Sequence, residues 1–147
     1  MELRTTTNID ASPEVVWEIL TDFQAYGEWN PFIREIEGVA QKGARLRVRM
    51  TPPEGKAMNF KPVVQSAEPA LELRWLGRLW LPRLFDGEHV FELEPDADGS
   101  TRLTQRETFR GVLVPFLAHS LNTNIRLAFE QMNQALKERA EQRSQAR

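Results

Sequence analysis

Three polar side chains with chemistry open to them, His89, Gln105 and Glu107, fall on strand faces that are otherwise apolar. Residues two apart on a strand point to the same side. His89 therefore shares a face with Phe91 and Leu93, and Gln105 and Glu107 share one with Leu103 and Phe109. Burying such groups costs free energy unless each finds a partner. His89 and Glu107 lie on neighbouring predicted strands and are able to pair. The pair can be purely structural, can anchor a carbonyl or hydroxyl of a bound molecule, or can serve as acid and base in a cyclisation or dehydration. One histidine and one glutamate with no third member make a weak catalytic signature.

Other chemistries find little support. There are no cysteines, which excludes disulfides, thiolate metal sites and a cysteine nucleophile. The second histidine, His119, sits at the start of a long predicted helix, so no metal site and no cofactor are expected. Asp, Ser and His residues form no nucleophilic triad, and Gly38 and Gly43 are too isolated for a phosphate loop. Arg45, Arg47 and Arg49 make a basic stripe, but Glu35 and Glu37 on the adjacent predicted strand offset it and no aromatic interleaves with it. With a formal net charge of −2, nucleic acid is not an expected partner.

The elements that must position these groups follow from periodicity. Thr-rich residues 2–9 suggest a first strand. Ser12 is an N-cap with Pro13 at the first helical position, and Val15, Val16, Ile19 and Leu20 form a helical stripe that stops near Thr21-Asp22. Residues 23–31 predict a second short helix, punctuated by Gly27 and Pro31. Residues 33–37 are strand-like. Ala44, Leu46, Val48 and Met50 then alternate with the three arginines in the clearest strand of the chain. Met58, Phe60, Pro62 and Val64 mark a strand that Pro62 assigns to an edge or a bulge. Leu71, Leu73 and Trp75 form the next. Asp96-Ala97-Asp98-Gly99 predicts a hairpin between the strands carrying His89 and Glu107. Leu117, Leu121, Ile125, Phe129, Met132 and Leu136 predict a helix over 115–141, about 40 Å long at 1.5 Å per residue, with a charged, fraying tail. Consecutive strands joined by turns make an antiparallel meander with one wet face, and the long helix is the natural cover for the other.

The 147 residues suit one domain, residues 1–147, which should bury roughly two-thirds of its unfolded surface. The N-terminal residues have no signal-peptide layout, and no stretch approaches the roughly 20 apolar residues that span a bilayer. A soluble, cytoplasmic protein without stable membrane insertion is expected; homodimerisation stays open.

The segments Ile9-Asp10-Ala11-Ser12-Pro13-Glu14-Val15-Val16-Trp17, Asp22-Phe23 and Trp29-Asn30-Pro31-Phe32 resemble the opening of SRPBCC proteins. That superfamily includes START-type lipid carriers, birch-pollen-allergen-like (Bet v 1-like) proteins and polyketide cyclase/dehydrase domains. Trp75-Leu76-Gly77, Gly87-Glu88-His89, Arg106 through Gly111 and Asn133 through Lys137 extend the likeness over nearly the whole chain. The resemblance implies an α+β helix-grip fold. A curved antiparallel sheet of six to seven strands wraps a long C-terminal helix, two short helices follow the first strand, and a cavity lies between sheet and helix. No Rieske iron–sulfur ligands are present.

Pockets of this kind are mostly apolar, with a few polar groups. The strands offer Leu46, Val48, Met50, Met58 and Phe60 as ligand-binding candidates, followed by Leu73, Trp75, Phe91 and Leu103. The helix adds Leu121, Ile125 and Phe129; Trp29 and Phe32 are expected near the mouth; and His89, Gln105 and Glu107 supply polarity. His89 and Glu107 are the catalytic candidates. The leading expectation is a protein that binds or carries an apolar small molecule such as a lipid or an aromatic polyketide-like compound. The alternatives are a cyclase or dehydratase using the same cavity, and a co-chaperone-like interaction module docking through Leu79–Phe85; the whole apolar connection Leu76 to Phe85 otherwise serves as a lid or prolongs its flanking strands.

Overall fold

The computed structural model describes residues 1–79 and 84–147. Strand β1 (Glu2–Ile9) leads to helix α1 (Pro13–Thr21), a 3-10 turn (Phe23–Ala25) and the single-turn helix α2 (Tyr26–Trp29). Strands β2 (Ile33–Glu37), β3 (Arg47–Met50), β4 (Met58–Phe60), β5 (Val63–Glu68), β6 (Glu72–Leu79), β7 (Phe85–Pro95) and β8 (Thr101–Arg110) follow. The C-terminal helix runs as α3 (Val114–Ser120), a π-helical segment (Leu121–Ile125) and α4 (Arg126–Gln145).

All strand pairs are antiparallel, in the orders β1-β8-β7-β6-β5 and β2-β3-β4. The two sets join through residues 43–46. Gly43 N donates to Val64 O, Leu46 N to Pro62 O and Val64 N to Ala44 O, each at 2.8 Å. The expected single strand over 44–50 is thus divided: its first part pairs with β5 and its second with β2 and β4. β4 and β5 are one path broken at Lys61-Pro62, since proline lacks the N–H that would continue the ladder. The described residues therefore show eight strand segments where six to seven strands were expected. Register shifts at Ile33/Glu35 and Val64/Ser66 insert bulges that bend the sheet around the C-terminal helix.

Ser12 caps α1 as its composition predicts: its hydroxyl accepts from Val15 N at 3.3 Å, and Pro13 opens the helix. The tail does not fray at residue 141. Ala140 is fully buried, and Arg147 pairs with Glu18 of α1 at 2.6 Å, so the helix continues to Gln145. Burial pushes the Tyr26 phenol well above its usual range, with Asp22 adding to the effect, and its hydroxyl donates to Leu20 O. On the outer face of the large sheet, Arg74 bridges Glu72 and Glu88, and Arg106 meets Glu92. The stems of these two arginines flank Val90, their register partner, which is fully buried although it points away from the helix. The hydrogen bond from Arg74 holds the Glu72 carboxyl below its usual range.

Among the described residues no helix is long and apolar enough to cross a membrane. Leu76 to Leu79 prolong β6, and Phe85 opens β7; Trp80, Leu81, Pro82 and Arg83 lie outside the described residues. Leu71, expected on the strand face with Leu73 and Trp75, falls in the turn before β6 and is exposed. Replacing the cap by Ser12→Ala should lower unfolding free energy by about 1 kcal/mol. Urea denaturation will check this, and an unchanged midpoint would show that α1 does not need its cap.

Candidate functional site

The inner face of β6, β7 and β8 is built from three rows of register partners. The first is Leu73–Phe91–Gln105, the second Trp75–His89–Glu107 and the third Gly77–Gly87–Phe109. The first two rows are filled. The rings of Trp75, Phe91 and Phe129 lie 5.2, 4.7 and 5.1 Å from the His89 ring, and all four side chains are essentially inaccessible to solvent. The third row is bare where the two glycines face each other. A Cβ on Gly77 would sit 3.2 Å from the Phe60 ring, and one on Gly87 would sit 2.6 Å from Oε1 of Glu107.

Above this bare patch lies a cavity of about 340 Å³. Gly77, Gly87, Phe85, Phe109 and Glu107 form its floor. Leu117, Leu121, Ile125 and Ser120 come from the helix, and Met50, Met58, Phe60 and the 52–56 turn close the remaining side. The π-helical segment keeps Leu121 and Ile125, four apart, both turned inward and buried. Such segments recur at functional sites. Asn124, in the same segment, clasps the turn: its Oδ1 accepts from Glu54 N at 3.0 Å and its Nδ2 donates to Glu54 O at 2.6 Å. Leu117 is partly exposed at the rim, and outside it Phe116 is 84% exposed and Val112 is exposed.

Polar groups beneath the cavity form one continuous chain. Thr5 Oγ1 donates to Gln105 O at 3.0 Å and accepts from Asn133 Nδ2 at 2.8 Å. Asn133 Oδ1 accepts from Gln105 Nε2 at 2.7 Å, and the same Nε2 reaches Phe129 O at 3.4 Å. Gln105 Oε1 lies 2.9 Å from His89 Nε2, and His89 Nδ1 lies 3.4 Å from Glu107 Oε2. Of these side chains, Glu107 is the one that reaches the cavity, with 12% of its side chain accessible.

The sequence-based candidates divide accordingly. Met50, Met58, Phe60, Glu107, Leu121 and Ile125 line the cavity. Leu46, Val48, Leu73, Trp75, Phe91, Leu103 and Phe129 are packed into the core beside it, and His89 and Gln105 lie one layer below its wall. Trp29 and Phe32 are not at the mouth. Phe32 is buried 5.9 Å from the Phe129 ring, and Trp29 stacks edge-on against Tyr26 at 5.2 Å. The mouth lies at the opposite end of the grip because the short helices cap the filled rows, not the glycine row. Thr5, Asn133 and the glycine pair join the site as well; a glycine inside a strand pattern is a local signal for Gly77 and Gly87, and none marks Thr5 or Asn133. The arginine stripe sits opposite Glu35 and Glu37 in register, with Arg45 donating to Lys61 O and Arg49 to Asn59 Oδ1.

A curved sheet closed on a long helix around an apolar hollow defines a helix-grip domain of the hydrophobic-ligand-binding kind. The family model for polyketide cyclase/dehydrase and lipid transport proteins matches residues 1–141, and the chain belongs to that family, within the SRPBCC superfamily. Among solved structures it is similar to TTHA0849 from Thermus thermophilus (19% identity, 98% of this chain and 99% of that chain, TM-score 0.77). It is likewise similar to a START superfamily protein from Mycobacterium smegmatis (23% identity, 96% and 97%, TM-score 0.71). A third likeness is to the Zhui aromatase/cyclase from a Streptomyces species (16% identity, 97% and 94%, TM-score 0.79). At these identities the likeness is one of fold. No curated protein matches the chain by sequence.

Asn133→Ala removes an acceptor from Gln105 Nε2 and a donor to Thr5, both buried. The expected cost is about 1–3 kcal/mol of stability, to be read by urea denaturation; a neutral substitution would mean the chain is not held together through Asn133.

Proposed function

We propose that this domain binds, and as a carrier would deliver, an apolar small molecule of lipid or aromatic polyketide-like character in the cavity above Gly77 and Gly87. The observation that carries this is the hollow itself. The space opens to solvent through its mouth and is walled mostly by apolar side chains, so an apolar occupant would remove that surface from water. A chain that packs Trp75, Phe91 and Phe129 tightly in and against the two adjoining rows and leaves this space unfilled has the shape of a receptor for an apolar occupant. The family's lipid-transport description and the aromatase/cyclase among its structural likenesses support the same reading. Leu121→Trp should fill the space from the helix side. It should weaken binding of a naphthalene-sized fluorescent probe at least tenfold without lowering the melting temperature. Native mass spectrometry of protein purified from its host should also show a co-purifying apolar molecule; a protein that emerges empty and ignores a panel of medium-chain lipids and bicyclic aromatics ends this proposal.

The contact between His89 and Glu107 at the cavity floor favours one second reading: acid–base catalysis on the bound molecule, as in a cyclisation or dehydration. In that case Glu107→Gln lowers turnover of a bound polyketide-like substrate by at least tenfold while binding persists. Equal turnover in the variant removes Glu107 from the chemistry. The interaction-module alternative gains nothing from the described residues, since the core of its apolar segment, 80–83, lies outside them.

A further inference from the structure

We propose that the cavity selects neutral apolar molecules that carry an O–H group (an alcohol, a phenol or an enol), and that this hydroxyl donates to Oε1 of Glu107. The proposal rests on the cavity-binding reading above and specifies the chemical class of occupant.

The buried chain decides this because each hydrogen can be donated once. Gln105 Nε2 reaches two acceptors, Asn133 Oδ1 and Phe129 O, and Phe129 O can only accept. The Gln105 amide is therefore oriented with Oε1 toward His89. Thr5 fixes the other end in the same sense. Its single hydroxyl hydrogen goes to Gln105 O, so it accepts from Asn133, which turns Asn133 Oδ1 toward Gln105. An amide oxygen facing Nε2 requires a hydrogen on Nε2. With Nε2 protonated, Nδ1 faces Glu107 Oε2 either as the N–H of an imidazolium or as a bare acceptor. A bare nitrogen against a carboxylate is repulsive, so the contact holds one proton, on Nδ1 or on Oε2.

Both placements leave Oε1 in the same role. In the ion pair it is a carboxylate oxygen, and in the neutral pair it is the carbonyl oxygen of the acid; in each it accepts and has nothing to donate. Oε1 lies over Gly87 on the cavity floor, and among the described residues no donor reaches it. A ligand with an O–H satisfies it. A pure hydrocarbon or a ketone leaves it unpaired, and a site built to receive a hydroxyl discriminates strongly against an analogue that lacks one. An anionic ligand has no hydrogen to give Oε1, and with the proton on Nδ1 it also sets a like charge beside Glu107; the cavity's one lysine, Lys56, is exposed and keeps its charge in water. At about 30 Å³ for a water-sized group, the space admits roughly a dozen non-hydrogen atoms, the size of a bicyclic aromatic or a medium chain.

The experiment compares naphthalene, 2-naphthol and 2-naphthoate at neutral pH by titration calorimetry on the intact protein. Expected for the natural sequence is 2-naphthol at least tenfold tighter than naphthalene, and 2-naphthoate weaker than 2-naphthol. Glu107→Gln should keep most of that preference, because an amide can donate to Nδ1 and still present an oxygen to the cavity. Glu107→Leu should bring 2-naphthol and naphthalene within about twofold of each other. Nitrogen-15 NMR of His89 should show a hydrogen on Nε2. Equal affinities for naphthalene and 2-naphthol, tighter binding of 2-naphthoate, or a bare Nε2 overturns the hydroxyl assignment while the cavity reading stands. Binding of none of the three overturns the cavity reading and this proposal with it.

Discussion

A buried hydrogen-bond donor must meet an acceptor, and the site depends on that constraint. Placing an imidazole among three aromatic rings would cost several kcal/mol if it were left unpartnered. The chain from Thr5 through Asn133 and Gln105 removes most of that cost by giving His89 Nε2 and the amides beneath it partners of fixed polarity, and it leaves Oε1 of Glu107 open to the cavity. It also ties the first strand, the last strand and the C-terminal helix to one another, so the parts that frame the cavity are held by the same bonds that orient the Gln105 amide against His89. Low local dielectric strengthens such a network when it is complete and penalises it when any member is missing.

The second feature is a contrast in filling along one sheet. Moving along β7 in steps of two, from Phe91 to His89 to Gly87, takes the inner face from a large ring, to a smaller polar ring, to no side chain. The C-terminal helix answers this gradient. Phe129 packs against the filled rows, and the π-helical Leu121–Ile125 segment lies over the empty one. Stability is concentrated in one half of the grip and the space for a ligand in the other, with the Glu54–Asn124 clasp spanning the mouth. Glycines in a strand weaken it, so the Gly77–Gly87 pair is a local loss of stability that makes room.

Much of this was legible from pattern. Period-two alternation placed Leu46, Val48, Leu73, Trp75, Phe91 and Leu103 inward, and all are buried. The cap at Ser12, the hairpin after Pro95 and the pairing of His89 with Glu107 follow from spacing and turn chemistry. The division of the 44–50 strand between two partners did not, because one strand's alternation says nothing about which neighbour each half meets. The π-helical insertion is equally silent: a period of three and four describes a helix well until one extra residue is accommodated.

By itself, the order of side chains determined which face of each strand and helix turns inward, because that depends only on residue type and the repeat of the local backbone. It determined the class of fold as well, since a meander with one apolar face and one long amphipathic helix has few ways to close. Only the tertiary structure decided where the hollow lies and which apolar residues surround it. Trp29 and Met58 look alike as candidates in sequence, yet one packs beside Tyr26 and the other lines the cavity. Empty space belongs to no residue: it is what remains when register sets two glycines opposite each other and a helix crosses above them. The direction of the hydrogen-bond chain is likewise a property of residues up to 128 positions apart, and no local pattern contains it.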